Sequence, residues 1–158
     1  MEPRMNIAKL APEAYKHMYG LEQFLAASTL PATIKELVKL RVSQINGCAF
    51  CVDMHSHDLK AAGETDERLF SVVTWREAPF FTEPERAALA LAEEATWLGK
   101  DGVSDAVWER AKAQFDEQTL AALVVAIATI NAWNRYGVTL RLVAGSHRRA
   151  AAAVGEAM

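Results

Sequence analysis

The strongest constraint on how this chain folds is a helical stripe that ends abruptly and restarts. Between residues 32 and 45, Ile34, Leu37, Val38, Val42 and Ile45 follow the three-or-four spacing of a single apolar face on an α-helix. Asn46-Gly47 comes next, a pair that accepts the left-handed backbone on which helices end. A new helical pattern begins at once near Cys48 and is stopped by Gly63. Helices joined by so short a connection can fold back on one another, and then residues on either side of the turn come level.

Most of the remaining sequence reads as helix too. Pro12 to about Ser28 is closed off by Leu30-Pro31. Thr65 can cap "DERLFSVVTWREA", and Ser104 can cap "DAVWERAKAQF". Thr82 with Glu85 is a capping-box signature, with Pro84 tolerated in the first turn of a helix that reaches Gly99. A long helix from about Glu117 to Arg135 follows, and only near Val138 to Val143 does alternation suggest a strand. The expected class is all-α. No Pro/Gly/Ser-rich linker divides the 158 residues, so one domain spanning 1–158 is expected, a length that supports a real core. The stretch "LAALVVAIATINAW" is more apolar than one face of a small monomer requires, which argues for a core helix that also meets a partner subunit. Trp75, Trp97 and Trp108 are read as core, and Trp133, Asn134 and Arg135 as a core aromatic with helix-end polar residues.

Charge and hydropathy narrow the function classes. A net charge of -3 gives no electrostatic case for nucleic acid or an anionic membrane. The locally basic end, "SHRRAAAAV", reads as a solvated helix end. The N-terminal residues lack an apolar segment of signal-peptide length, and the run Leu120 to Trp133 is shorter than the roughly 20 residues of a membrane span. A cytoplasmic protein with reduced thiols is therefore expected.

Against that background, "INGCAFCVDMHSHDLKAAGE" stands out, because it holds both cysteines of the chain and two of its four histidines. With a helix starting at Cys48, Cys51 falls in the first turn and His55 one turn later on the same face. Unpaired N–H groups at a helix start favour a thiolate. Cys51 is thus placed to be a nucleophile, with Cys48, at the exposed helix start, as its resolving partner. Glu36 is the candidate carboxylate for orienting His55. It would be about 18 Å from Cys48 along one continuous helix, but the turn at Asn46-Gly47 brings it back beside His55. The alternative for Glu36 is a solvated carboxylate paired with Lys35 or Lys39.

A metal clip and a structural disulfide are the other readings of the cysteines. Cys48, Cys51, His55 and His57 are four zinc-ligand types within ten positions, but on one helix His57 points about 160° from His55. Only a three-ligand metal site is then geometrically open. A permanent disulfide between residues three apart closes too short a loop to stabilise much. Covalent haem is excluded, since Val52 rather than His follows Cys51. A redox-active dithiol is the favoured reading; His57 reads as a surface residue, and His17 and His147 join no cluster.

Glu36, Cys48-Ala49-Phe50-Cys51 and His55, with Ala62-Gly63 closing the helix, resemble the alkylhydroperoxidase AhpD core within the carboxymuconolactone decarboxylase superfamily. "WREAPFFTEPERAALALAE" and "IATINAWNRYGVTLR" extend the likeness over roughly residues 10 to 145, leaving a tail at about 148–158. The resemblance implies an all-helical bundle assembled as trimers or as hexamers built from dimers. It also implies a thiol-dependent peroxidase in which Cys51 attacks a hydroperoxide and becomes a sulfenic acid. Cys48 then forms a disulfide with it, an external dithiol reduces the pair, and Glu36 and His55 relay protons. No metal or flavin is implied, the redox group being the Cys48–Cys51 disulfide itself. Phe50 stands where the best-known member has a histidine, and the decarboxylase branch lacks the cysteine pair. The competing functions are a general disulfide oxidoreductase or redox sensor, and a non-catalytic oligomeric binding protein.

Overall fold

A computed structural model describes residues 2–148. In chain order the helices are α1 (Ile7–Leu10), α2 (Pro12–Ala27), α3 (Ala32–Ile45), α4 (Ala49–Ala61), α5 (Asp66–Ser71), α6 (Glu83–Trp97), α7 (Asp105–Lys112) and α8 (Glu117–Leu140), with a 3-10 turn at Val72–Thr74. Among the described residues there is no strand, and no helix is long and apolar enough to cross a membrane.

The caps form where the sequence places them. Thr82 and Glu85 make both halves of the capping box. Thr65, Ser104 and Asp116 accept from the backbone N–H three residues on, at Arg68, Val107 and Thr119. The helix from Thr65 is shorter than expected. The β-branched run Val72-Val73-Thr74 tightens into the 3-10 turn, whose three-residue period puts Val72 and Trp75 on the same side. Both are buried there. Helix α7 likewise stops at Lys112 rather than Phe115, which leaves Asp116 free to cap α8.

Two further expectations are corrected. Val138 and Thr139 belong to the last turn of α8 rather than a strand; Gly137 and Leu140 are buried at helical spacing, and the chain leaves the helix through a left-handed Arg141. Trp97 and Trp108 are not core. They are 59% and 37% exposed, because α6 and α7 turn those faces away from the interior, whereas Trp75 is buried.

Helix α3 lies between two apolar clusters. Ile34, Val38 and Val42 join Leu25, Leu91, Leu123 and Ile130 on one side. Leu37 and Leu40 join Leu59, Val72, Trp75 and Leu89 on the other. Each such side chain contributes about 1.5–3 kcal/mol relative to exposure. The buried stripe is wider than the sequence suggests, since Lys39 and Ser43 are buried with it. Helix α8 packs on α2, α3, α4 and α6, as a central helix should. Of the basic end and the tail read from the sequence, residues 149–158 lie outside the described residues.

Candidate active site

The site is built around the corner between α3 and α4. Gly47 takes the positive φ of 68° that the turn requires. Asn46 then fixes the corner against α8. Its Nδ2 donates to Asn131 Oδ1 and Asn134 Oδ1, each at 2.9 Å, while Asn134 Nδ2 donates to Ser43 Oγ at 3.0 Å. Asn46 is marked as half of the Asn46-Gly47 stop, but no local pattern joins it or Ser43 to Asn131 and Asn134, 85 residues or more away.

Docking the corner this way decides where the sulfurs lie. Cys48 is the N-cap of α4, its Sγ accepting from the Cys51 N–H at 3.3 Å. The two cysteines form a disulfide with their Cα atoms 5.3 Å apart. Cys48 is not at an exposed helix start. It is 1% exposed and Cys51 2%, because the start of α4 faces α8 rather than solvent.

His55 is also buried, on the same face one turn beyond Cys51. Its Nδ1 lies 2.8 Å from Glu36 Oε2, the two being brought level by the fold-back at the corner. Burial works to raise the Glu36 carboxyl, but the His55 hydrogen bond and the charges of His55, Lys39 and Lys35 outweigh it and hold the carboxyl below its ordinary range. An ionised carboxylate only accepts, so Nδ1 carries a hydrogen, and the uncharged form of the ring has Nε2 as its acceptor. Nε2 is buried and has no hydrogen-bond partner among the described residues.

The two readings of Glu36 turn out to be compatible. Oε2 meets His55, while Oε1 lies 3.9 Å from both Lys35 and Lys39. Lys39 is 4% exposed and donates to Glu22 Oε2 at 2.6 Å. Glu22 Oε1 in turn accepts from the Trp133 indole at 3.0 Å, so a line of charge runs from α2 through α3 to α4. Trp133 sits in an aromatic group with Tyr15, Tyr19 and Tyr136. The spacing of Glu36 and Lys39 on one helix flags the lysine from the sequence; nothing local flags Glu22.

The zinc-type ligands Cys48, Cys51, His55 and His57 do not converge. The sulfurs are paired, and His57 is exposed, 3.8 Å from Asp53. Glu36, His55 and exposed Asp58 do bring donor atoms within 4.8 Å of one another, though Glu36 Oε2 is engaged by His55. His147, unlike its sequence reading, joins a cluster. It packs edge-on against Phe50 with ring centres 5.5 Å apart, and next to it Gly145 N–H and Arg148 bind Asp53 of α4.

The carboxymuconolactone decarboxylase family profile matches residues 12–94. The uncharacterized protein YdfG of Bacillus subtilis is 39% identical over 140 residues, which is 89% of this chain and 95% of that protein. A crystal structure from Agrobacterium tumefaciens superposes with a TM-score of 0.87 at 38% identity, covering 90% of this chain and 98% of that one. That protein is of unknown function, provisionally assigned to AhpD-type antioxidant defence. The debrominase Bmp8, solved with 2,3,4-tribromopyrrole, superposes at 0.78 over 90% of this chain and 76% of its own. At 19% identity that likeness is one of fold.

Proposed function

The chain belongs to the carboxymuconolactone decarboxylase family, and from that premise we propose that it is a thiol-dependent hydroperoxidase of the AhpD-like kind. The observation that carries the proposal is a bonded Cys48–Cys51 pair at the start of α4, one turn from a histidine held by a carboxylate at 2.8 Å.

In the reduced enzyme, His55 takes the proton of Cys51 while Glu36 steadies the ring. The Cys51 thiolate attacks one oxygen of the hydroperoxide. The O–O bond breaks, the alcohol leaves with a proton, and Cys51 becomes a sulfenic acid. Cys48 then displaces water from that sulfur to form the disulfide. An external dithiol returns two electrons and two protons and is itself oxidised. The sulfur pair carries both electrons, so the cycle uses no metal or flavin.

Self-association belongs to the same reading, as a trimer or a hexamer of dimers. It is supported by an apolar groove of about 590 Å³ whose lining includes Leu98, Val103, Trp108 and Val124.

The test is direct. Cys51→Ser abolishes hydroperoxide turnover, whereas Cys48→Ser leaves a sulfenic acid that dimedone traps. Wild-type turnover by Cys51→Ser overturns the assignment. The bonded Cys48–Cys51 pair also supports a second reading, a general disulfide oxidoreductase or redox sensor on the same scaffold. In that case the disulfide cycles with dithiols but the peroxide rate is negligible.

A further inference from the structure

Gly137 occupies the interior of α8, where glycine weakens a helix relative to alanine. Its backbone is ordinary right-handed helix, so no unusual φ calls for it. The reason is space. A Cβ at this position would lie 2.5 Å from Cys48 Sγ and 3.4 Å from Cys51 Sγ. At Gly20, in the middle of α2, a Cβ would meet nothing within 4 Å.

We propose that Gly137 sets the redox poise of the Cys48–Cys51 pair, because its missing Cβ is the space that Cys48 Sγ occupies when the two sulfurs are bonded. A free Cys48 thiol turns about a single side-chain torsion and can swing away from an intruding methyl. A bonded sulfur cannot, since Cys51 holds it and the first turn of α4 fixes both backbones. A methyl group on residue 137 therefore disfavours the disulfide more than the dithiol. Gly137 is a positioning residue, acting through Cys48. The proposal rests on the reading that this pair cycles.

The equilibrium to measure is protein disulfide plus two glutathione giving protein dithiol plus glutathione disulfide. The protein S–S bond breaks, its sulfurs gain two electrons and two protons, and one S–S bond forms between the glutathiones. Wild type, Gly137→Ala and Gly20→Ala are equilibrated over stepped glutathione ratios, quenched, alkylated and counted for thiols by mass spectrometry. Gly137→Ala shifts the equilibrium constant toward the dithiol about tenfold or more, which is about 30 mV for a two-electron couple. Gly20→Ala leaves it in place. A wild-type pair that titrates beside an unshifted Gly137→Ala overturns the role of Gly137 alone. A wild-type pair that stays oxidised over the whole range overturns the cycling and this proposal with it. Where Gly137→Ala does not fold, adding Cys48→Ala removes the obstructing sulfur and restores a folded chain. Failure of that rescue also overturns the proposal.

Discussion

Two acidic groups, Glu36 on α3 and Glu93 on the adjoining α6, are built to opposite ends. Glu93, on α6, is fully buried and accepts from Arg41 Nε at 2.7 Å, from the Trp75 indole at 2.9 Å and from Arg76. Burial works to raise its carboxyl, but the hydrogen bonds from Trp75, Arg41 and Arg76 outweigh it and hold the group below its ordinary range. Glu36 is lowered in the same direction. The difference lies in the partners. A guanidinium and an indole do not change protonation near neutral pH, so the Glu93 cluster has nowhere to send a proton. An imidazole does, and the ring beside Glu36 keeps a buried nitrogen without a partner among the described residues. A lowered carboxyl alone therefore does not mark a chemical site; a titratable neighbour with an open valence does.

The comparison breaks most visibly at Glu93. Glu93→Gln leaves the largely buried Arg41 cation without its counter-charge, and stability falls by about 3–5 kcal/mol in urea unfolding. Turnover per folded molecule holds. Unfolding at the wild-type midpoint would show that the cluster is not what ties α3 to α6.

Glu36→Gln behaves the other way round. Hydroperoxide turnover drops roughly a hundredfold, equivalent to about 2.7 kcal/mol in activation free energy. The unfolding midpoint moves little, since the Glu36 side chain keeps 20% of its surface in solvent. Unchanged turnover would make Glu36 no more than a partner for its lysines.

The smallest effect is a matter of pH. A folded carboxyl lowered below its ordinary value of 4.5 stabilises the fold when ionised. Its contribution is full above about pH 4.5 and is lost as the pH falls through the lowered folded value. The stability difference between wild type and Glu36→Gln is thus flat near neutrality and shrinks in acid. A difference that grows toward low pH would mean the sign is wrong.

Much of the site is legible before any coordinates. The stripe through Val38 and Val42, the stop at Asn46-Gly47 and the restart at Cys48 together bring Glu36 level with His55, and the structure places them 2.8 Å apart. The same reasoning puts Cys48 at an exposed start, and there it goes astray. A helix start is exposed unless another element covers it, and the covering here comes from α8 through Asn131 and Asn134. Trp97 and Trp108 mislead for the complementary reason: a tryptophan's size says that burial is favourable, not that a neighbour is present to provide it. Glu93 carries no mark, since its partners come from two distant stretches of the chain, Arg41 on α3 and Trp75-Arg76.

The sequence by itself determined where the capped helices begin, how the chain reverses before Cys48, and that two thiols and a histidine share one helical face. These depend on caps, turns and side chains within about four residues of one another, whose geometry the local backbone supplies. Tertiary structure alone decided that the sulfurs are buried, that Gly137 must be small, that Lys39 links Glu22 to Glu36, and which carboxylate is sealed. Each of those depends on surfaces brought together from distant parts of the chain, and no local preference encodes which face will meet which.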